Sequence, residues 1–74
     1  MLKQGHTPRY WRGSVPAVDD FGDPIKNGFV DGVTLQGHWA FMSLESAKRY
    51  ARGTGTGRGQ MYQKQADGRW LKIA

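Results

Sequence analysis

Apolar residues along this chain come in short bursts broken by glycine, proline and charge, and one burst has the period of a helix. Leu44, Ala47 and Ala51 recur at intervals of three and four residues, a narrow stripe that predicts a helix over residues 43–52. Ser43 is placed to cap the free amides of the first turn. Glu45 stands where the helix dipole favours an anion, and Lys48, Arg49 and Arg52 stand where it favours cations. Gly53 then supplies a left-handed stop. So short a helix does not hold alone in water, and its stripe must dock on something. The expected platform is a hairpin of residues 60–65 and 69–73 that closes the chain.

The other bursts read as strands and turns. Residues 10–15 are rich in β-formers and predict a short strand stopped by Pro16, while residues 17–28 carry Asp, Gly, Pro and Asn at turn density. Phe29-Val30 and Val33-Thr34-Leu35 flank Asp31-Gly32, a pair that favours a two-residue hairpin turn. Trp39-Ala40-Phe41-Met42 leads into the helix, with Trp39 read as core. In the closing hairpin a three-residue Ala66-Asp67-Gly68 turn, with Gly68 left-handed, sets Met61 against Ile73 and Gln63 against Leu71. Tyr62 then faces Lys72 and Lys64 faces Trp70, giving a basic and aromatic side that is expected to bind a partner. The fold class expected is α+β: one small domain, residues 9–74, of short antiparallel hairpins packed on one short helix, behind a flexible arm, residues 1–8.

Length and charge narrow this further. A chain of 74 residues makes one domain and buries only roughly 60% of the surface its unfolded form exposes. It has no cysteine, so disulfides, a thiol nucleophile and cysteine-ligated metal are excluded. No apolar run approaches the ~20 residues of a membrane span, and no secretory signal opens the chain, so a cytoplasmic protein without a membrane partner is expected. The net charge of +5 is one-sided. Residues 1–40 balance four cations (Lys3, Arg9, Arg12, Lys26) with four anions (Asp19, Asp20, Asp23, Asp31), whereas residues 41–74 hold seven cations against Glu45 and Asp67. Such a surface either meets an acidic partner, nucleic acid or protein, or serves only as a solvated face.

Enzymatic readings find little support. The glycine-rich run from Gly53 to Gly59 leaves a helix and enters a strand, the reverse of a nucleotide-binding loop, and lacks its Gly-Lys-Ser/Thr ending. His6 and His38 are far apart, and Asp19, Asp20 and Asp23 do not match a calcium loop. Ser43 and Ser46 have no activating base nearby in sequence. A binding protein without cofactor or metal is therefore expected, monomeric. Its contacts are assigned to the interleaved cations and rings: Arg9, Trp11, Arg12, Lys48, Arg49, Arg52, Arg58, Tyr62, Lys64, Trp70 and Lys72.

Several of these segments also resemble a known group. Gly22-x-Pro-Ile25, Phe29-Val-Asp-Gly32, Trp39-Ala-Phe-Met42, Gly55-Thr-Gly-Arg-Gly-Gln-Met-Tyr62 and Ala66-Asp-Gly-Arg-Trp-Leu-Lys-Ile73 look like the second half of small proteins of tailed bacteriophages, a likeness spanning residues 18–74. Those relatives carry two Cys-x-x-Cys pairs, the pattern of a four-cysteine zinc-ribbon-like site. The corresponding positions here are Val18, Phe21, Ser43 and Ser46, so the resemblance implies a degenerate zinc ribbon without metal. It further implies that the 18–21 turn faces the helix start, with Val18 or Phe21 packed on Ser43, Ser46 or Ala47 in place of coordination. Within the group, a short basic chain without zinc cysteines is most similar to the Xanthomonas-phage transcription regulators. That likeness implies binding to the β′ subunit of host RNA polymerase in the bacterial cytoplasm, displacement of the σ factor and antitermination. Direct binding of DNA or RNA by the basic second half is the alternative, and mimicry of a host target would ordinarily need an acidic chain.

Overall fold

The computed structural model describes residues 8–55 and 57–74; apart from Pro8, the arm expected over residues 1–8 lies outside them, as does Thr56 in the glycine-rich run. Its elements run β1 (Gly28–Val33), β2 (Trp39–Ser43), α1 (Leu44–Tyr50), β3 (Gly59–Lys64) and β4 (Trp70–Lys72). The four strands form one antiparallel sheet in the order β2-β1-β3-β4, and with the single helix they make the expected small α+β architecture.

Strand alternation sorts this sheet into two unlike faces. Val30, Ala40 and Met42 share one face and form a buried cluster onto which Ala47 and Ala51 of the helix and Met61 of β3 pack. The helix stripe thus docks mainly on β1 and β2. The platform expected from the closing hairpin contributes Met61 and not the bulk of the contact. The opposite face is aromatic. Phe29, fully buried, lies 4.5 Å from the Phe41 ring, 5.0 Å from Tyr62, 5.2 Å from Trp70 and 5.4 Å from Trp11, centroid to centroid. Each large side chain enclosed in this way contributes on the order of 1.5–3 kcal/mol.

Trp11 reaches that face because the N-terminal segment straps the sheet. Lys72 donates its amide to the Arg9 carbonyl (2.8 Å), and Trp11 donates to the Trp70 carbonyl (2.9 Å), covering the outer edge of β4. Further along the chain, the Asp20 amide reaches the Phe41 carbonyl (3.0 Å) and the Phe41 amide reaches Asp20 Oδ2 (2.8 Å), covering the edge of β2. Both exposed ladders, otherwise open to pairing with another chain, are occupied. The strand expected over 10–15 is reduced to the single bridge of Tyr10 with Leu71, since beyond it the chain turns across the aromatic face.

Two sequence expectations are corrected. Asp31-Gly32 is not a turn but the middle of the six-residue β1, and the hairpin turns instead through Leu35-Gln36-Gly37. There the Thr34 amide bonds the His38 carbonyl (2.7 Å), the Gly37 amide bonds the Thr34 carbonyl (2.9 Å), and Gly37 has φ +95°. Gly32 serves close approach: a methyl there would stand 2.7 Å from the Arg58 carbonyl oxygen and 2.9 Å from the Gly59 Cα. The helix, expected over 43–52, ends at Tyr50, with Ala51 extended at ψ 144°. Its release comes from tertiary pairing and not from Gly53, because Leu35 and Arg52 donate to the Tyr50 and Val33 carbonyls (2.7 and 3.0 Å) and draw the chain into a ladder beside β1.

The closing hairpin has the register expected of a three-residue turn. Tyr62 pairs with Lys72, Gln63 with Leu71 and Lys64 with Trp70, Gly68 has φ +90°, and the Ile73 amide bonds the Met61 carbonyl (2.8 Å). Its bonding repeats that of the 35–37 loop: Gln65 amide to Arg69 carbonyl (2.7 Å) and Gly68 amide to Gln65 carbonyl (2.9 Å).

Candidate partner-binding surface

The Asp19 carboxylate fixes where α1 starts. Its Oδ1 accepts the amides of Phe21 and Asp23 and its Oδ2 accepts that of Ser43, all at 2.8 Å. The Ser43 hydroxyl donates to Asp23 Oδ2 (2.6 Å) and accepts the Ser46 amide (3.0 Å) as the expected N-cap. Burial alone would raise the Asp19 carboxyl, but the hydrogen bonds from Ser46, Ser43, Asp23 and Phe21 outweigh it and bring the pKa down from 3.8 to about 2. The 18–21 turn does face the helix start, as the phage resemblance implies. What joins them is this carboxylate network; Val18 is exposed, and Phe21, which lines a cleft with Ser46, stacks on Tyr50, 4.4 Å between centroids. Of the expected apolar replacement at Ser43, Ser46 or Ala47, Phe21 beside Ser46 is found, and the junction itself is made by the polar network of Asp19, Asp23 and Ser43.

The eleven residues assigned to binding fall into two groups. Lys48, Arg49 and Arg52 are exposed on and just after α1, and the Arg58 side chain lies along the Gly53 and Gly55 backbone of the loop that follows. The Lys48 ammonium stands 3.5 Å from Glu45 and Arg52 Nη2 donates to the Leu35 carbonyl (3.4 Å). Among the described residues the ion pairs are Lys48–Glu45 and Arg69–Asp67, so neither Arg49, Arg52 nor Arg58 is neutralised by a carboxylate. A groove of about 420 Å³, lined by Val30, Leu44, Ala47, Ala51 and Met61, has Lys48 at its rim, whereas Arg49 borders a separate cleft with Phe21, Asp23, Glu45 and Tyr50.

The second group lies around the strap and β4. Arg9, Arg12, Lys64 and Lys72 are exposed, and Lys64 Nζ stands 5.8 Å from the centre of the Trp70 ring. Its rings are otherwise structural. Tyr62 is buried, stacked on Phe29 and met edge-on by Trp11 at 5.3 Å, so the basic and aromatic side expected of the closing hairpin is the inner aromatic layer with cations at its border. Burial, then the charge of Asp31, raise the Tyr62 hydroxyl above its ordinary value, against the opposing effect of Arg9. Asp31 itself is raised, by burial first and by Asp20 second.

Trp39 takes the opposite course. Expected in the core, it is exposed on the aromatic face beyond Phe41, at the end of the β1–β2 hairpin. The signal was its position: as the first residue of β2 it pairs with Val33 just before the loop, where the sheet has no further strand to cover it. Compared with models of protein families, with curated proteins and with solved structures, the chain finds no match. No helix among the described residues is long and apolar enough to cross a membrane.

Proposed function

We propose that this protein is a non-enzymatic regulator that binds a host RNA polymerase through its β′ subunit, interferes with the σ factor and so inhibits transcription initiation, with antitermination as a further effect. The motifs shared with the tailed-phage proteins supply the identity of the partner. The observation that carries a macromolecular partner of acidic character is the exposure of Arg49, Arg52 and Arg58, charges that take part in no ion pair among the described residues. A protein partner is favoured over nucleic acid because rings that would stack bases, Trp11 and Tyr62, are taken up by the aromatic layer.

The test is transcription in vitro with purified Xanthomonas polymerase. Adding the protein to holoenzyme before the promoter is expected to release σ and suppress the run-off transcript, and adding it to an elongating complex to increase read-through at a terminator. Full-length transcription with σ retained, at protein in large excess over polymerase, is the result that overturns the proposal.

A further inference from the structure

The N-terminal strap sets two like charges face to face. Arg9 and Lys72 are direct neighbours across the strap and β4, for the Lys72 amide bonds the Arg9 carbonyl at 2.8 Å beside the Tyr10–Leu71 bridge. Lys72 is also opposite Tyr62, across β3 and β4. Both cations are exposed, and neither takes part in an ion pair among the described residues. Like charges directly opposite on paired strands are destabilising, a cost that an anion between them removes. Arg9 also lines a cleft of about 700 Å³ together with Tyr10, Trp11, Arg12 and Tyr62. Its charge acts on the Tyr62 hydroxyl, which sets Arg9 on the aromatic side of the sheet, away from α1.

We propose that this cleft binds a compact phosphate-bearing small molecule, its phosphoryl oxygens held by Arg9, Arg12 and Lys72. The site goes beyond the polymerase-binding reading and does not depend on it. Two guanidinium forks match phosphoryl oxygens in pairs, and the lysine adds a point charge, so a multiply charged anion suits three cations better than a single carboxylate does. The acid on the same face, Asp31, lies between Phe41 and Gln60 in register and is in no ion pair; its carboxyl is raised by burial and by Asp20. Asp67 is tied to Arg69 at 2.9 Å. The cations also stand on fixed backbone. Trp11 donates its amide to the Trp70 carbonyl and its indole N–H to the Ser14 carbonyl (3.3 Å), closing a turn in which Gly13 has φ +85° and which carries Arg12. Little ordering therefore remains to be done on binding. Nucleic acid fits the cleft less well. Trp11 and Tyr62 are packed into the aromatic layer, and the Tyr10 ring has the Arg69 guanidinium over it at 4.1 Å, so a base finds no open pair of rings.

The experiment titrates the full chain with inorganic pyrophosphate, and separately with a single-stranded RNA of about 20 nucleotides, at a constant ionic strength of about 0.15 M, and follows the backbone amides by NMR. Arg9→Gln and Lys72→Gln are compared with the wild type, Arg49→Gln on α1 serves as control, and thermal melts confirm folding. Pyrophosphate is expected to move the amides of Arg9, Trp11, Arg12 and Lys72 saturably. Each strap-side variant is expected to raise the Kd about tenfold, with the control unchanged. No saturable shift at these amides overturns the site. An equal loss in Arg49→Gln overturns it too, since it would show only diffuse attraction to a chain of net charge +5. RNA that moves the same amides at lower concentration than pyrophosphate overturns the compact ligand in favour of a nucleic-acid backbone. Failure of the polymerase reading would be seen in the transcription assay and leaves all of these outcomes unaffected.

Discussion

Replacing Asp19 with asparagine keeps the shape of the side chain and removes its charge, and it is expected to be the most damaging conservative change in the N-terminal half. Asp19 is 6% exposed and accepts three backbone amides at 2.8 Å. Its pKa is lowered from 3.8 to about 2, which at 1.36 kcal/mol per unit corresponds to stabilisation on the order of 2–3 kcal/mol when ionised. The amide group that replaces the carboxylate must also oppose either the Ser43 amide or the pair from Phe21 and Asp23, donor against donor. In a domain this small the loss lowers the melting temperature by about 10–20 °C. Because the folded pKa is depressed, this contribution is fully present above the unfolded value of 3.8 and disappears as pH falls through about 2. Urea unfolding followed by tryptophan fluorescence from pH 7 to pH 2 reads both effects. The gap between wild type and Asp19→Asn should be constant above about pH 5 and narrow below it. Asp20→Asn, whose side-chain oxygen can still accept the one exposed hydrogen bond from the Phe41 amide, should cost less than about 1 kcal/mol. A variant within about 0.5 kcal/mol of the wild type at pH 7, or a gap that does not narrow in acid, would show that the carboxylate does not hold the 18–21 turn to the helix.

Phe29→Ala empties the centre of the aromatic layer and should cost about 3–5 kcal/mol in urea unfolding, leaving the domain largely unfolded at 37 °C. Gly32→Ala pushes a methyl into the Arg58 carbonyl and should destabilise more than Gly37→Ala, which meets no neighbour and bears only the left-handed φ penalty of about 1 kcal/mol. Asp31→Asn should raise the urea midpoint at pH 7. The folded pKa of Asp31 lies above its unfolded value, so the wild type gains stability as pH falls through that raised pKa and the advantage of the variant shrinks toward acid. Exchanging Arg49 and Arg52 together for Glu should weaken polymerase binding at least tenfold while moving the melt by only a few degrees, since both side chains are exposed.

How far the sequence reaches into this fold depends on whether a signal is local or shared between distant segments. Ser43 as cap, the stripe of Leu44, Ala47 and Ala51, and the Ala66-Asp67-Gly68 turn are local, and each is found where its chemistry puts it. Asp31-Gly32 misleads because its local preference for a turn loses to pairing on both sides: β1 is the inner strand between β2 and β3, and Gly32 is needed for the approach of Gly59. Leu35-Gln36-Gly37 was legible by the same logic as residues 66–68, a glycine closing three residues between β-formers, once Asp31-Gly32 is given up. The helix end depends on a ladder between Ala51 and Thr34, far earlier in the chain, for which periodicity offers no sign. The same holds for the surface. Exposed cations near α1 follow from the helix pattern, whereas the inward turn of Tyr62 and Trp11 and the outward placement of Trp39 depend on the strap that crosses one face and stops short of the hairpin end.

The claim that this chain acts on a protein and not on nucleic acid is tested most directly by recovering its partners from a Xanthomonas lysate on the immobilised protein, with and without exhaustive nuclease treatment, at about 50 and about 200 mM salt. A protein partner predicts that polymerase β and β′ subunits are retained after nuclease, with σ depleted, and that retention falls only modestly between the two salt concentrations. Loss of polymerase upon nuclease treatment, together with the roughly thousandfold or steeper salt dependence of phosphate contacts, would contradict it.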